Sequence, residues 1–212
     1  FSQPKVIIIV LTWNRLGDTL ECLGSIRKIE YPNYQIMVVD NGSTDGSAET
    51  IAARYPDIIL LKNESNLGYA AGNNRGIEKA LGIGCDYVFL LNNDTTLDAA
   101  CLDELVKSME SDSCIGAAGP KIYLHQDPSM VWYAGGDICF REAISVTRGW
   151  FKRDHPSYNR PGEVSFITGC AMLLKRKAIE EVGLLDPAYI SYLEDTDWCW
   201  RMAQKGFKLM YV

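Results

Sequence analysis

The chain has 212 residues, 47% hydrophobic and 23% charged, a globular composition with enough apolar material for one well-filled core. That excludes a disordered tail and a disulfide-stapled mini-protein. Lys and Arg number 21 against 27 Asp and Glu, a net charge of −6, so nucleic acid is not an expected partner.

From Lys5 short apolar runs alternate with amphipathic stretches. Val6 to Leu11 reads as a strand, and Leu16, Leu20, Leu23 and Ile26 give the following segment helical spacing. The pairing recurs with Ile36 to Val39 before Ala48, Ile51, Ala52 and Tyr55, and with Ile58 to Leu61 before Ala70 to Leu81. It recurs again with Tyr87 to Leu91 before Leu97, Leu102, Leu105, Val106 and Met109. Successive βα units predict an α/β fold with a parallel sheet, and the unbroken apolar strands fit a sheet covered on both faces. After Gly119-Pro120 the rhythm breaks. Trp132, Tyr133, Gly135, Gly136 and Phe140 predict hairpins, and Arg153 to Gly162 predicts a mobile loop. An apolar stretch from Val164 to Leu174 precedes a helix over 177–182 and another from about Glu194 to Lys205, each closed by glycine. The last residues, Leu209 to Val212, read as a strand.

No apolar run approaches the roughly 20 residues that cross a bilayer, and the N-terminus carries no signal-peptide pattern, so the expected setting is cytoplasmic. The seven cysteines form no Cys-x-x-Cys pair and read as reduced, buried thiols.

Polar clusters follow the predicted strands: Thr12-Trp13-Asn14-Arg15, then Asp40 to Ser47, then Asn92-Asn93-Asp94-Thr95. In a parallel sheet all three meet at the carboxyl edge, where ligands of such sheets bind. Asn41-Gly42 and Asp45-Gly46 are also ordinary turn chemistry, but that does not account for Asp40 ahead of the turn or Asp94 at the same edge. One carboxylate there can accept from a ribose hydroxyl or a base N–H, and another can hold a divalent metal. The dinucleotide fingerprint fails, because Gly82-x-Gly84 is followed by Tyr87, and no Gly-Lys pair exists for a phosphate loop. Asn66 to Gly76 supplies small residues and amides at a helix start, for close ligand approach or for tight helix-to-sheet packing. Glu194-Asp195-Thr196-Asp197 opens the last helix, where acids complement the dipole or furnish a general base with its support.

The segments 6–15, 38–47, 66–77, 90–97, 167–176 and 183–206, in that order and spacing, resemble family 2 glycosyltransferases of the GT-A type, nearest to their bacterial rhamnosyltransferase-like branch. The resemblance implies a GT-A type nucleotide-diphospho-sugar transferase fold. Its mostly parallel central sheet is flanked by helices, with a smaller antiparallel region on the acceptor side. It implies a single domain over 1–212, with residues up to about 118 binding the nucleotide sugar and the rest serving acceptor and catalysis. Thr12, Asn14 and Asp40 would hold the uridine or thymidine of a UDP- or dTDP-sugar, with Asn41, Ser43, Gly68 and Asn74 lining the same pocket. Asn92-Asn93-Asp94 stands at the family's Asp-x-Asp position, with Asp94 binding Mg²⁺ or Mn²⁺ and Asn93 near the donor ribose or sugar. Position 92 is Asn, which leaves one carboxylate for the metal. Asp195 would be the catalytic base, with Glu194 or Asp197 supporting it and Arg201 pairing with one of these acids.

The implied activity is inverting transfer of a sugar, rhamnose by the branch, to a hydroxyl of a growing cell-surface polysaccharide or lipid-linked glycan. Family members carry a further metal-ligating His after the strand in which this chain stops, a position that neither His125 nor His155 matches. That predicts a C-terminally truncated chain, with peripheral association at the inner membrane face through the missing segment. Trp150 and Phe151, in the variable stretch Arg141 to Gly162, either stack on acceptor sugars or pack on the sheet. Two other readings compete. A sugar-phosphate nucleotidyltransferase needs a Gly-rich, basic loop after strand one, where this chain offers only Arg15. A sugar-nucleotide-binding module without turnover gains weight from the missing His.

Overall fold

The computed structural model describes residues 3–139, 141–142, 144–189 and 192–212, so Phe140 lies outside the described residues. Four strand-helix pairs open the chain. They are β1 (Val6–Thr12) with α1 (Leu16–Ile26), β2 (Tyr34–Asp40) with α2 (Ser47–Arg54), β3 (Ile59–Lys62) with α3 (Gly68–Gly82), and β4 (Tyr87–Asn92) with α4 (Cys101–Ser111). The second half holds β5 (Ile115–Gly119), β6 (Ile122–Leu124), β7 (Asp127–Tyr133), β8 (Gly136–Cys139), β9 (Ile144–Thr147), β10 (Lys152–Arg153) and β11 (Gly162–Val164). It ends with β12 (Ala171–Lys175), α5 (Arg176–Val182), α6 (Glu194–Gln204) and β13 (Lys208–Tyr211). The apolar stretch from Val164 to Leu174 is thus two elements, the end of β11 and β12, divided by a turn. Within Arg153 to Gly162 a short 3₁₀ turn over Pro156–Asn159 is capped by the His155 side chain, which accepts from Ser157 N–H.

Eight strands form the main sheet in the order β11-β13-β5-β12-β4-β1-β2-β3. β1 lies parallel to β2 and β4, β2 to β3, and β13 to β5. β12 runs antiparallel between β4 and β5, and β11 runs antiparallel to β13. The sheet is therefore mixed, and strands of the second half extend the sheet of the first. β6, β7 and β10 form a small antiparallel sheet, and β8 pairs with β9 in a hairpin.

The uninterrupted apolar strands are explained by two cores, one on each face. Ile7 and Ile9 of β1 point into one, while Val6, Ile8 and Val10 point into the other. The first core takes Ile77 and Ala80 of α3, Ile179 of α5 and Trp198 and Met202 of α6. The second takes Leu23 and Ile26 of α1 and Leu105 and Met109 of α4. α3 sits close to the sheet because Gly76 lets it. A Cβ there would lie 2.8 Å from Ile9 Cγ2 and 3.0 Å from Val39 Cγ2, both on β-branched side chains with little rotamer freedom. Gly76→Val is expected to lower unfolding free energy by about 3 kcal/mol, read as a fall in Tm, because overpacking displaces α3 or both strands. An unchanged Tm would show that α3 can lift at no cost.

Parallel register brings the strand ends level: Thr12 pairs with Asp40, and Leu11 with Asn92. Because β12 is antiparallel to β4, its beginning lies at that same edge, and Asn92 N–H donates to Cys170 O over 2.9 Å. Among the described residues, no helix is long and apolar enough to cross a membrane.

Candidate functional site

A cleft of about 730 Å³ opens at this carboxyl edge. β1 contributes Leu11 and Thr12, followed by Trp13; the loop after β2 contributes Asn41; Asn66 precedes Gly68 and Tyr69 of α3; and Asn92 ends β4, followed by Asn93 and Asp94. A second cavity, about 480 Å³, lies at the opposite edge, where Asp86 and Glu110 stand among Lys175, Arg176 and Lys177. No strand carboxyl end with the polar loops described above reaches it.

The residues that the resemblance assigns to the donor are organised by hydrogen bonds. Thr12 Oγ1 and Thr19 Oγ1 of α1 lie 2.8 Å apart, and Asn93 Nδ2 donates to Thr19 Oγ1 over 3.0 Å, which fixes the Asn93 amide. Asn14, at φ 52°, accepts from Thr44 N–H at Oδ1 over 2.8 Å, and its own N–H donates to Ser43 Oγ over 3.0 Å. The loops after β1 and β2 are thereby tied together. Asn41 is buried and spends its side chain on the neighbouring loop. Nδ2 donates to Asn66 Oδ1 over 2.8 Å and to Gly68 O over 3.1 Å, while Oδ1 accepts from Asn63 Nδ2 over 2.9 Å. Asp40 is 2% exposed; Oδ2 accepts from Ser43 N–H over 3.3 Å, and Oδ1 has no hydrogen-bond partner among the described residues. A buried acceptor left open in this way is costly unless a ligand supplies the donor.

Tyr192 and Leu193 precede α6 in the left-handed region, at φ 71° and 72°. Such backbone costs of order 1–3 kcal/mol per residue, and here it falls directly ahead of the acids. Glu194 is buried, and its Oε2 has no partner among the described residues. Burial raises its pKa above the usual carboxylate range, and the Asp195 charge adds to this. Burial also raises Asp195, against the pull of its hydrogen bonds: Oδ2 accepts from Gly169 N–H over 2.8 Å and Oδ1 from Thr196 N–H over 2.7 Å. Gly169 belongs to the turn before β12, so Asp195 is anchored at the strand edge that carries Asn92. The Cys170 thiol is pushed up to about 12 by burial, with Asp94, Cys22 and Asp195 adding to the shift. One thiol thus feels the carboxylate after β4 and the carboxylate of α6 together.

Other sequence-selected residues lie elsewhere. Asn74 is no cleft residue: its Nδ2 donates to Leu185 O over 2.7 Å, and its Oδ1 accepts from Leu185 N–H over 3.1 Å, clipping α3 to the loop after α5. Asp197 accepts from Arg201 Nε over 2.7 Å, and Arg201 also donates to Val182 O and Leu184 O, at 3.1 and 2.9 Å. This pair fastens α6 to the end of α5 and to the same loop. Trp150 and Phe151 are 60% and 55% exposed, so they do not pack on the sheet, and neither lines the cleft. His125 lies 3.7 Å from Glu21 at the surface. Of the cysteines, Cys22, Cys85 and Cys199 are buried but Cys114 is exposed, so the expectation of uniformly buried thiols does not hold for it.

For a metal, the structure offers Asp94, exposed at the cleft and flanked by Asn93; no group of three or more His, Cys, Asp or Glu forms a metal cage among the described residues. One carboxylate fits a hard divalent ion that takes its remaining oxygens from a diphosphate and water. Reading by residue type missed Thr19, Tyr69 and Gly169. Thr19 and Tyr69 sit in helical patterns that read as packing, whereas a glycine within an apolar strand pattern is a signal of close approach.

Comparison with known proteins agrees with this geometry. The glycosyl transferase family 2 model matches residues 7–183. The N-acetylglucosaminyl-diphospho-decaprenol L-rhamnosyltransferase of Mycobacterium tuberculosis is 30% identical over 99% of this chain and 74% of its own length. The poly-beta-1,6-N-acetyl-D-glucosamine synthase of Staphylococcus aureus is 28% identical over 99% of this chain, which spans 48% of that relative. A mannosyltransferase from Pyrobaculum calidifontis, solved with GDP-Man and Mn²⁺, superposes with a TM-score of 0.71 at 20% identity, over 98% of this chain and 54% of that one, and shares the GT-A fold. A match over most of its length, on a sheet whose carboxyl edge gathers the polar loops, makes this chain a member of glycosyl transferase family 2, a glycosyltransferase.

Proposed function

We propose that the protein transfers rhamnose from a dTDP- or UDP-linked donor to a hydroxyl of a lipid-linked N-acetylglucosaminyl diphosphate or a growing glycan, with inversion. The observation that carries this reading is Asp195, a half-buried carboxylate with raised pKa held by the Gly169 N–H at the strand edge that forms the cleft. The rhamnosyltransferase relative supplies the sugar and acceptor class.

Asp40 Oδ1 would accept a base N–H of the donor, while Asn93, oriented by Thr12 and Thr19, would meet the ribose. Asp94 would hold Mg²⁺ or Mn²⁺, which when bound supplies charge neutralisation for the leaving diphosphate. Asp195 accepts the proton of the acceptor hydroxyl as that oxygen attacks the anomeric carbon, since a neutral alcohol is a poor nucleophile. Glu194, buried beside it, has its own pKa raised by burial and by the Asp195 charge, and would support the base by orienting it or the acceptor hydroxyl. A lipid-linked acceptor would bring the protein to the cytoplasmic face of a membrane.

The test is transfer from dTDP-rhamnose, with UDP-sugars in parallel, to a short-chain synthetic N-acetylglucosaminyl-diphospho-lipid in Mn²⁺. NMR of the product should show the anomeric configuration opposite to the donor's. Retention would sink direct displacement, and donor binding without turnover would favour a binding module.

A further inference from the structure

We propose that Tyr69 is a positioning residue for the reaction: its hydroxyl holds the Gly169 turn that in turn holds Asp195, joining the donor cleft to the base. This rests on Asp195 being that base.

Tyr69 lies in the first turn of α3 and lines the cleft. Its Oη–H donates to Gly169 O over 2.7 Å, and Gly169 N–H donates to Asp195 Oδ2 over 2.8 Å. A single residue is thus gripped on both of its peptide groups, by the phenol on one side and the carboxylate on the other. Gly169 is glycine for lack of room: a Cβ would lie 2.6 Å from Tyr69 Oη and 3.3 Å from its Cζ. Its φ is not in the left-handed region, so contact with this ring, and not backbone conformation, excludes a side chain. The phenol keeps its proton throughout the working range, because burial and the nearby Asp195, Cys170 and Glu194 raise its pKa well above 10.0. It therefore remains a donor to Gly169 O at every pH at which the enzyme works.

Two roles are thereby combined in one ring. The residue lines the cleft, and its hydroxyl sets the turn from which Asp195 takes its stabilising N–H. That N–H lowers the Asp195 pKa against the effect of burial. When the turn loosens, Asp195 loses this bond, its pKa rises, and less of it is ionised at a given pH.

The experiment compares wild type, Tyr69→Phe, Gly169→Ala and the double variant with dTDP-rhamnose, Mn²⁺ and the synthetic acceptor, alongside Asp195→Ala. Tyr69→Phe should lower kcat about tenfold, leave the donor KM within about twofold, and move the acid limb of kcat/KM to higher pH. Gly169→Ala should cost more, and adding Tyr69→Phe should restore part of that loss, because removing Oη makes room for the new methyl. A Tyr69→Phe enzyme with wild-type kcat and an unmoved acid limb would overturn the proposal, as would a lower Tm with no change in pH profile. Strict additivity in the double variant would overturn it as well. If Asp195→Ala retains full transfer, the base assignment itself fails, a result separable from a Tyr69 failure on an intact base.

Discussion

Asp195→Ala is expected to reduce transfer about 10³-fold or more while dTDP or UDP binding, followed by calorimetry, stays within about twofold of wild type. The carboxylate contacts Gly169 and Thr196 backbone and lies off the donor-side hydrogen-bond network, so its loss removes proton acceptance without emptying the donor pocket. Equal turnover in the two proteins would take Asp195 out of the mechanism. The pH dependence has a definite sign. As the proposed base, Asp195 would act only when ionised, and its pKa is raised from 3.8, so the acid limb of kcat/KM should lie above the ordinary carboxylate range. An acid limb at the ordinary Asp value would show that another group titrates.

The same acids have a stability signature. A carboxyl whose pKa is higher folded than unfolded binds its proton more tightly in the native state. Glu194 and Asp195 therefore favour folding below their unfolded values and lose that contribution as pH rises through their raised folded values. Once the pH exceeds those raised values, each is ionised at a cost to stability. Glu194→Gln should accordingly raise Tm at neutral pH and not at acid pH, since Oε2 of Glu194 has no hydrogen bond among the described residues to lose. A cost of this kind, beside the left-handed Tyr192 and Leu193, is what a site retained for activity and not for stability looks like.

The second large effect is at Asp94. Asp94→Ala should weaken Mn²⁺-dependent nucleotide binding by about 100-fold and abolish its dependence on Mn²⁺, because among the described residues no other carboxylate lines the cleft beside the Asn93 amide. Tm without ligand should change little, within about 0.5 kcal/mol of unfolding free energy, since Asp94 is exposed and has no ion pair among the described residues. Unchanged Mn²⁺-linked binding would place the metal elsewhere, and a large loss of Tm would assign Asp94 to the fold.

Much of the site was legible in sequence because it follows from chain-local geometry. Apolar runs of strand length followed by helical spacing specify parallel βα units, and parallel units put Thr12, Asp40 and Asn92 to Asp94 at one edge whatever else the chain does. Residue type alone did not distinguish cleft amides from clips. Asn74 is an amide at a predicted helix start, and only its contacts with Leu185 show that it fastens a loop. Arg201 could be paired with one of the α6 acids from helical spacing, but that the partner is Asp197, and that Arg201 also bonds Val182 O at the end of α5 and Leu184 O in the loop after it, is visible only in the structure.

The amino-acid order alone determined the two-faced apolar strands, the polar loops at their ends and the acids opening α6, because each depends on side-chain periodicity within a few residues. Only the tertiary structure decided that β12 enters between β4 and β5 in the opposite direction. That insertion carries the Gly169 turn to the cleft, where Tyr69 and Asp195 meet it from helices far apart in sequence. The physical reason is that pairing direction and close approach are settled by long-range burial and steric fit, for which a local pattern carries no signal.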